Sequence, residues 1–208
     1  MDPFEPTDDK EVARINRLQR GVFDKIVDVF EPPLPEGVPE RLQKIVDTAG
    51  IVKGDIVLDV GSGTGILIPS IQKYEPGRIY ACDLSEKMLQ QLRQNYTGVE
   101  TIVADIRDLP LPDESIDVVF INACYPNIAD KAGAFSNIAR MVRPAGRMSV
   151  SHPLGKTFIH SLRKTSPFPL DDFPEKSEAT DLLAPYGFDI QTFIDEPELY
   201  ILLAVKRN

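Results

Sequence analysis

The sequence predicts an α/β fold in which a mostly parallel sheet of seven strands carries helices on both faces. Short apolar stretches alternate with helical stretches from residue 55 to residue 151, which is typical of parallel sheets. A turn with three alternate glycines follows the first of these strands. Two strands with a very short joint end the sequence, so they must be antiparallel to each other.

The N-terminal part is predicted to hold two helices. Apolar residues recur at helical spacing over residues 8–30, where Asp8 and Glu11 resemble a capping box and Gly21 interrupts the pattern. The proline-rich residues 31–37 break this helix. A second helix is expected over residues 39–49, because Pro39 stands at its start and a glycine just past its end.

The rest of the chain is predicted to supply the sheet and the helices that cover it. Pro69 should kink the first of these helices, and Ser85 is well placed to cap the second. Amphipathic spacing follows in the segment 153–173. The expected strands are residues 55–60, 78–83, 99–104, 116–122, 147–151, 188–194 and 198–206, and the expected helices are 64–74, 85–95, 130–142 and 174–186.

Composition limits the class of protein. The 208 residues suffice for one domain, and 42% hydrophobic with 26% charged residues is typical of a globular protein. A formal net charge of −9 argues against nucleic acid as a partner, because phosphate binding depends on lysine and arginine. Neither a membrane span nor a signal peptide stands out, so we expect a cytoplasmic protein that binds no membrane. The two cysteines suggest buried thiols and no metal site, and the oligomeric state stays open.

Residues 57–65, Val-Leu-Asp-Val-Gly-Ser-Gly-Thr-Gly, indicate a nucleotide-like cofactor. Glycines allow a tight turn and a close ligand, and the following helix directs its free N–H groups to the same place. A dinucleotide site usually has the spacing G-x-G-x-x-G, whereas the third glycine here comes one residue early. Asp59 lies in the apolar strand, where a carboxylate needs a cation or hydrogen bonds. S-adenosylmethionine carries such a cation, whereas Asp59 would repel a pyrophosphate.

This stretch resembles motif I of the class I S-adenosylmethionine-dependent methyltransferases. The resemblance is good over residues 38–152 and holds only in outline at the ends. It implies a Rossmann-like sheet, S-adenosylmethionine as cofactor, and transfer of a methyl group to a small-molecule acceptor by direct displacement. The chain would divide into an N-terminal helical lid (1–50), a cofactor-binding core (51–152), a substrate-side insertion (153–173) and a closing segment (174–208).

Cofactor-binding residues are expected where strands end, because ligands of open α/β sheets bind at the carboxyl ends of the strands. Asp83 can accept hydrogen bonds from both ribose hydroxyls, although it would also suit a dinucleotide. By resemblance, Asp105 and Ile106 would bind adenine, and Asn122 with Ala123 would contact the cofactor through the backbone. The full predicted set is Asp59, Gly61, Ser62, Gly63, Thr64, Gly65, Asp83, Leu84, Met88, Asp105, Ile106, Asn122 and Ala123.

Catalytic residues are harder to identify from the sequence than cofactor-binding residues, because methyl displacement depends on alignment of the reactants more than on a fixed set of catalytic groups. His152 is the candidate general base, with a packed ring as the alternative. Tyr125 either faces the acceptor or covers the core. The basic residues of the insertion either meet an anionic acceptor or form a solvated face; they are Lys156, His160, Arg163 and Lys164.

Two other functions remain open at this point. One is binding of S-adenosylmethionine without catalysis, and the other is a nicotinamide-dependent oxidoreductase that binds NAD. The acceptor is equally open, since quinone-like rings, small acids, thiols and amines all fit a site that the sequence describes only on its cofactor side.

Overall fold

The seven strands form one sheet in the order β3-β2-β1-β4-β5-β7-β6, in a computed structural model that describes residues 8–208. Strands β1 to β5 pair in parallel, and β7 runs antiparallel to both β5 and β6. The predicted fold class is therefore confirmed. The strands are β1 Ile56–Val60, β2 Arg78–Asp83, β3 Val99–Val103, β4 Ile116–Asn122, β5 Val142–His152, β6 Phe188–Glu196 and β7 Leu199–Lys206.

Helices cover both faces of this sheet. Val57 and Leu58 are neighbours on β1 and point to opposite faces, and each belongs to a different hydrophobic cluster. One cluster includes α2 and α3, and the other includes α5 and α7. Within the described residues the helices are α1 Asp9–Phe23, α2 Val38–Ala49, α3 Ile68–Gln72, α4 Glu86–Asn95, α5 Lys131–Met141, α6 Gly155–Leu162 and α7 Lys176–Leu183.

Helix α1 is shorter than predicted, and its buried stripe runs from Val12 and Ile15 to Gln19 rather than to Leu18. It ends at Phe23, and a short 3₁₀ turn at Val27–Phe30 follows. The expected capping box does not form, because Glu11 binds Arg14 through two hydrogen bonds of 2.7 Å instead. The buried residues of α1 include Gln19, whereas the apolar Leu18 is 40% exposed. Residues 1–7, which belong to the predicted N-terminal lid, lie outside the described part of the chain.

Helix α3 begins four residues later than predicted. Residues 64–67 form turns, and the helix starts at Ile68. Pro69 consequently lies in the first helical turn, where its missing N–H has no partner to lose. The expected kink is therefore absent from this short helix, and the glycine turn is longer than the sequence pattern indicated.

Strand β5 starts five residues earlier than predicted and takes in the turn at residues 143–146. The register with β4 shifts between Ile116 and Val118, which marks a bulge. Ala145 in this segment has a φ of 60°, a left-handed conformation that glycine adopts more easily. The remaining predicted strands match to within a residue or two, and Ser85 caps α4 by accepting from the Met88 amide at 3.1 Å.

None of the helices in residues 8–208 combines the length and apolar character that a membrane span requires. The parallel strands β1, β2 and β4 end at one edge of the sheet, and α1 lies over that edge. This arrangement places the candidate site.

Candidate functional site

Two adjoining cavities lie at the carboxyl ends of the parallel strands. The larger, called here the large chamber, has a volume of about 120 Å³, and the smaller, the small chamber, about 50 Å³. Ten of the predicted cofactor residues line the large chamber: Asp59, Gly61, Ser62, Gly63, Thr64, Asp83, Leu84, Met88, Asn122 and Ala123. Asp105 and Ile106 line the small chamber. The walls shared by both chambers include Gln19, Leu84 and Cys124.

The three loop glycines all have positive φ, but a Cβ added to each would meet different surroundings. A Cβ on Gly61 would lie 2.7 Å from the Cβ of Cys124. A Cβ on Gly65 would lie 2.9 Å from Leu92, and Gly65 lines neither chamber, so this glycine serves the packing of α4 rather than the cavity. A Cβ on Gly63 would meet no described atom within 4 Å. Gly63 is thus the position where the bare backbone leaves room for a ligand.

Asp59 is a buried carboxyl group without a compensating cation among the described residues of the chamber wall. It is 2% exposed, and its Oδ2 has no hydrogen-bond partner among the described residues. Burial, and then the charge of Asp83, raise the pKa of Asp59 to about 8. Ser62 in the same wall also has a buried hydroxyl without a described partner. A cationic or hydrogen-bonding ligand group in the large chamber would satisfy both.

Asp83 connects the end of β2 to the glycine loop. Its Oδ2 accepts from the amide of Gly63 at 2.9 Å, and its Oδ1 accepts from the amide of Ser85 at 2.8 Å. Burial raises the pKa of Asp83, and these amide hydrogen bonds oppose that shift. Since each carboxylate oxygen has a second acceptor site, Asp83 retains capacity for ligand hydroxyls.

Asp105 is held in a similar way at the end of β3. Its Oδ1 accepts from the amide of Arg107 at 2.9 Å, and its Oδ2 accepts from the side-chain amide of Asn16 at 2.6 Å. Asn16 belongs to α1, so the N-terminal helix reaches the small chamber directly. Ile106 beside Asp105 is buried and forms an apolar part of the same wall.

Sequence reasoning missed three residues of the large chamber that precede the glycine loop. Gln19, Phe23 and Phe30 line it, and Gln19 is 2% exposed with its amide donating to the carbonyl of Asn127 at 2.6 Å. The hydroxyl of Thr64 donates to the carbonyl of Phe30 at 3.3 Å and ties this segment to the loop. A signal existed, because Gln19 follows Ile15 by four residues and is therefore a polar group on the buried stripe of α1.

The two predicted catalytic residues lie outside both chambers. The ring of Tyr125 stacks on Phe173, with centroids 5.5 Å apart. His152 packs between Phe158 and Phe173, and its Nδ1 accepts from the amide of Leu154 at 3.0 Å. Burial lowers the pKa of His152 to about 4. Both side chains thus take the alternative that the sequence left open, a ring packed in the core.

The basic residues of the insertion do not line the chambers either. Lys156 pairs with Glu175 at 2.7 Å and with Asp195 at 2.8 Å. Asp172 pairs with Arg163 and lies 3.4 Å from His160. Lys164 is exposed. The expected amphipathic helix exists as α6, and Lys156 on it and Arg163 just after it form ion pairs with acidic residues.

The sheet order, the glycine loop and an acid at the ends of β1 and β2 and just beyond β3 together define a class of protein. These features support a class I S-adenosylmethionine-dependent methyltransferase. A family model described as a methyltransferase domain matches residues 58–150, the segment that runs from the glycine loop to the end of the parallel sheet.

Curated relatives share about a third of the aligned residues. A ubiquinone/menaquinone biosynthesis C-methyltransferase, UbiE, of Vibrio campbellii is 31% identical over 152 residues, which cover 68% of this chain and 58% of that protein. An uncharacterized methyltransferase of Schizosaccharomyces pombe is 28% identical over 166 residues, covering 76% of this chain and 64% of that protein. The chain thus spans about three fifths of the length of these relatives.

Solved structures share the fold. A methyltransferase of Aquifex aeolicus superposes with a TM-score of 0.70 at 20% identity, covering 88% of this chain and 97% of that one. The methyltransferase in a complex with the Trm112 activator of Haloferax volcanii gives a TM-score of 0.75 at 18% identity, with coverage of 89% and 98%. At these identities the likeness establishes the fold and leaves the substrate open.

Proposed function

We propose that this chain transfers a methyl group from S-adenosylmethionine to a small-molecule acceptor by direct displacement. The observation that carries the proposal is Asp59, a buried carboxyl group in the wall of the large chamber with a pKa raised to about 8 and with one oxygen that no described residue pairs. A ligand ammonium or sulfonium in the chamber would favour the ionised form of Asp59. The pyrophosphate of a dinucleotide would do the opposite.

The other residues fit the remaining parts of the cofactor. The open space at Gly63 and the free hydroxyl of Ser62 suit the methionine part. Asp83 suits a ribose, since it has spare acceptor sites, and the buried Met88 beside it provides an apolar surface for a base. We assign Asp105 to adenine recognition, because an amide N–H₂ group already binds its Oδ2.

The N-terminal segment is proposed to act as a lid over this site. Three of the hydrogen bonds that connect it to the core involve residues lining the chambers: Asn16 to Asp105, Gln19 to Asn127, and Thr64 to Phe30. Such closure excludes water and aligns the reactants, and alignment contributes up to roughly 7–11 kcal/mol to a bimolecular reaction. When bound, S-adenosylmethionine supplies a methyl group on a good leaving group, so the chain itself needs to provide mainly alignment.

The name of the UbiE relatives supports a small-molecule acceptor, since they are C-methyltransferases of quinone biosynthesis. A second candidate is a protein that binds the cofactor without methyl transfer. It is favoured by the position of Tyr125 and His152 outside both chambers. Incubation with methyl-labelled S-adenosylmethionine and a panel of acceptors separates the two, because binding without any labelled product would support the second.

Calorimetric titration with S-adenosylhomocysteine and, in parallel, NAD tests the cofactor. We expect binding of the first only. Asp83→Ala should weaken it roughly 10–100-fold, because a charge-assisted hydrogen bond contributes about 1.5–3 kcal/mol. Asp189→Ala is the matched control, since Asp189 lies on β6 with a 69% exposed side chain. Binding of NAD alone, or an unchanged affinity in Asp83→Ala, would refute the assignment.

A further inference from the structure

The two chambers are too small for a nucleoside cofactor as the structure stands. Binding sites for small molecules usually have volumes of about 300–1,000 Å³. The large chamber measures about 120 Å³ and the small chamber about 50 Å³. The small chamber has room for only about one or two water molecules, and a purine base is much larger. Entry of a nucleoside therefore requires that part of the wall moves.

Helix α1 is a wall element that lies outside the main hydrophobic core. Its inner face contributes Asn16, Gln19 and Phe23 to the chamber walls. Val12 and Ile15 of the same helix are buried, yet the hydrophobic clusters among the described residues include no residue of α1. Elements that share few core contacts open at a lower free energy than core elements do. Helix α1 is therefore the candidate for the movement.

The polar contacts between α1 and the other described residues differ in strength. Asp9 pairs with Arg107 at 2.9 Å, but the side chain of Asp9 is 88% exposed, and an exposed ion pair contributes little to stability. Gln19 donates to the carbonyl of Asn127 at 2.6 Å, which is a bond between neutral groups. Asn16 makes the contact to a carboxylate inside the small chamber.

Asn16 binds the acceptor that the proposed function assigns to adenine. Its Nδ2 donates to Oδ2 of Asp105 at 2.6 Å, and both residues line the small chamber. The donor is an N–H₂ group on a planar, unsaturated carbon, as is the exocyclic amine of adenine. A hydrogen bond to a carboxylate is roughly twice as strong as one between neutral groups. The two N–H₂ groups would therefore compete for the same carboxylate oxygen, in a chamber without room for both.

We infer that Asn16 is a latch, which holds α1 closed over the adenine end of the site and must leave Asp105 before the cofactor binds. This inference rests on the proposed function and adds to it a control of access. The apparent association constant of such a protein is the intrinsic constant multiplied by the fraction of open molecules. Removing the latch should therefore tighten cofactor binding, whereas removing an ordinary contact residue of the site would weaken it.

Calorimetric titration of Asn16→Ala with S-adenosylhomocysteine tests this inference. We expect the full-length variant to bind about tenfold more tightly than the parent chain, because opening no longer breaks a hydrogen bond to a charged group. Arg17→Ala is the matched control and should keep the parent affinity, since Arg17 is the next residue of α1, is exposed and lines neither chamber. An unchanged or weaker affinity in Asn16→Ala would overturn the inference, and so would equal tightening in the control.

Hydrogen–deuterium exchange of the backbone amides tests the latch without any added ligand. The amides of α1 should exchange about tenfold faster in Asn16→Ala than in the parent chain, because a lower free energy of opening raises the open fraction. Helix α5 is the internal reference, since its residues belong to a hydrophobic cluster and should exchange at the parent rate. Equal exchange of α1 in the two chains, or faster exchange in both helices, would contradict a local latch.

S-inosylhomocysteine separates failure of the latch from failure of the proposed function. It carries a carbonyl where adenine has its amine, so the parent chain should bind it at least about tenfold more weakly than S-adenosylhomocysteine. If the parent chain binds neither compound, the proposed function is wrong, and the latch is refuted with it. If it binds both equally, the assignment of Asp105 to adenine is wrong, and the latch is again refuted. If it prefers S-adenosylhomocysteine and Asn16→Ala binds no more tightly, only the latch is refuted.

Discussion

At the scale of single residues, the buried carboxyl group of Asp59 is the feature most directly linked to ligand binding. Removing a carboxylate from water is unfavourable unless a cation or hydrogen bonds replace the water. Asp59 is almost fully buried, its Oδ2 has no partner within residues 8–208, and Asp83 is nearby, so its environment favours the protonated form. A group in this state weakens the folded chain at neutral pH, which points to a role in ligand binding rather than in folding.

The first prediction concerns the pH dependence of stability. The pKa of Asp59 is about 8 in the folded chain and ordinarily 3.8, so the unfolded chain releases this proton first. The stability of the folded chain should therefore fall as pH rises from about 4 to about 8. Asp59→Asn removes this loss, and we expect it to stabilise the ligand-free chain by about 1–3 kcal/mol at pH 8 and far less at pH 4.5.

Urea unfolding at pH 4.5, 6 and 8 measures this difference. Asp189→Asn serves as the control, since its side chain is 69% exposed. A stability difference between Asp59→Asn and the parent that does not change with pH would show that Asp59 ionises normally in the folded chain.

Ala145 is a second residue whose backbone is informative. Its φ of 60° is unfavourable for a residue with a Cβ by about 1–2 kcal/mol. We predict that Ala145→Gly stabilises the chain by about 0.5–1 kcal/mol, as measured by chemical unfolding. Ala13→Gly is the matched control in the exposed interior of α1, where the same change should destabilise by about 1 kcal/mol. The same sign for both variants would rule out the strain at Ala145.

At the scale of elements, the glycine loop combines packing and binding within five residues. Gly61 and Gly65 are required by neighbouring side chains, while Gly63 borders open space. The loop is longer than predicted, because α3 begins only at Ile68. Consequently, a change to alanine should mainly reduce stability at Gly61 and mainly reduce ligand binding at Gly63.

Gly61→Ala should mainly reduce stability, by more than about 2 kcal/mol, because its Cβ would overlap Cys124 in addition to the strain of a positive φ. Gly63→Ala should reduce stability by only about 1–2 kcal/mol but should abolish S-adenosylhomocysteine binding. Urea unfolding and calorimetric titration of both variants measure the two effects. Wild-type affinity in Gly63→Ala would show that the ligand does not approach the loop at this position.

Helix α1 shows where the periodicity of a sequence misleads. The apolar residues at helical spacing over residues 8–30 include Leu18 and Val29, yet these side chains are 40% and 73% exposed, and Val29 lies in the 3₁₀ turn after α1. The stripe that packs on the core instead includes Gln19, whose amide reaches Asn127. A buried glutamine on α1 is an element-level feature of the site, because it connects this helix to the segment that follows β4.

At the scale of the whole molecule, the closing hairpin supports a site to which it contributes no lining residue. Strand β7 lies between β5 and β6. Its first six residues, Leu199 to Ala204, are each at most 3% exposed. Both hydrophobic clusters use residues of β7, so the two faces of the sheet depend on it.

We therefore predict that a chain ending at Tyr186 loses cooperative thermal unfolding, although every chamber residue is retained. Each buried apolar side chain contributes about 1.5–3 kcal/mol, and the loss of those on β7 approaches the typical stability of a domain, about 5–15 kcal/mol. Circular dichroism during heating measures the transition. A chain ending at Arg207 is the control, and a cooperative transition with retained S-adenosylhomocysteine binding in the shorter chain would disprove the prediction.

Much of the fold was predictable from the sequence because strands, turns and caps depend on local patterns. The order of elements, the hairpin and the cap at Ser85 followed from residue types at short spacing. The boundaries of α3 and β5 did not, since Pro69 and Ala145 adopt positions that depend on packing with distant segments.

By itself, the sequence predicted the cofactor side of this protein: a glycine loop after a buried strand and acids at the strand ends, each recognisable from a few neighbouring residues. Only the tertiary structure decided which side chains enter the chambers. It brought Gln19, Phe23 and Phe30 to the glycine loop and packed Tyr125 and His152 elsewhere. The physical reason is that side-chain direction and contacts between distant segments arise from the packing of the whole core, which local spacing does not specify.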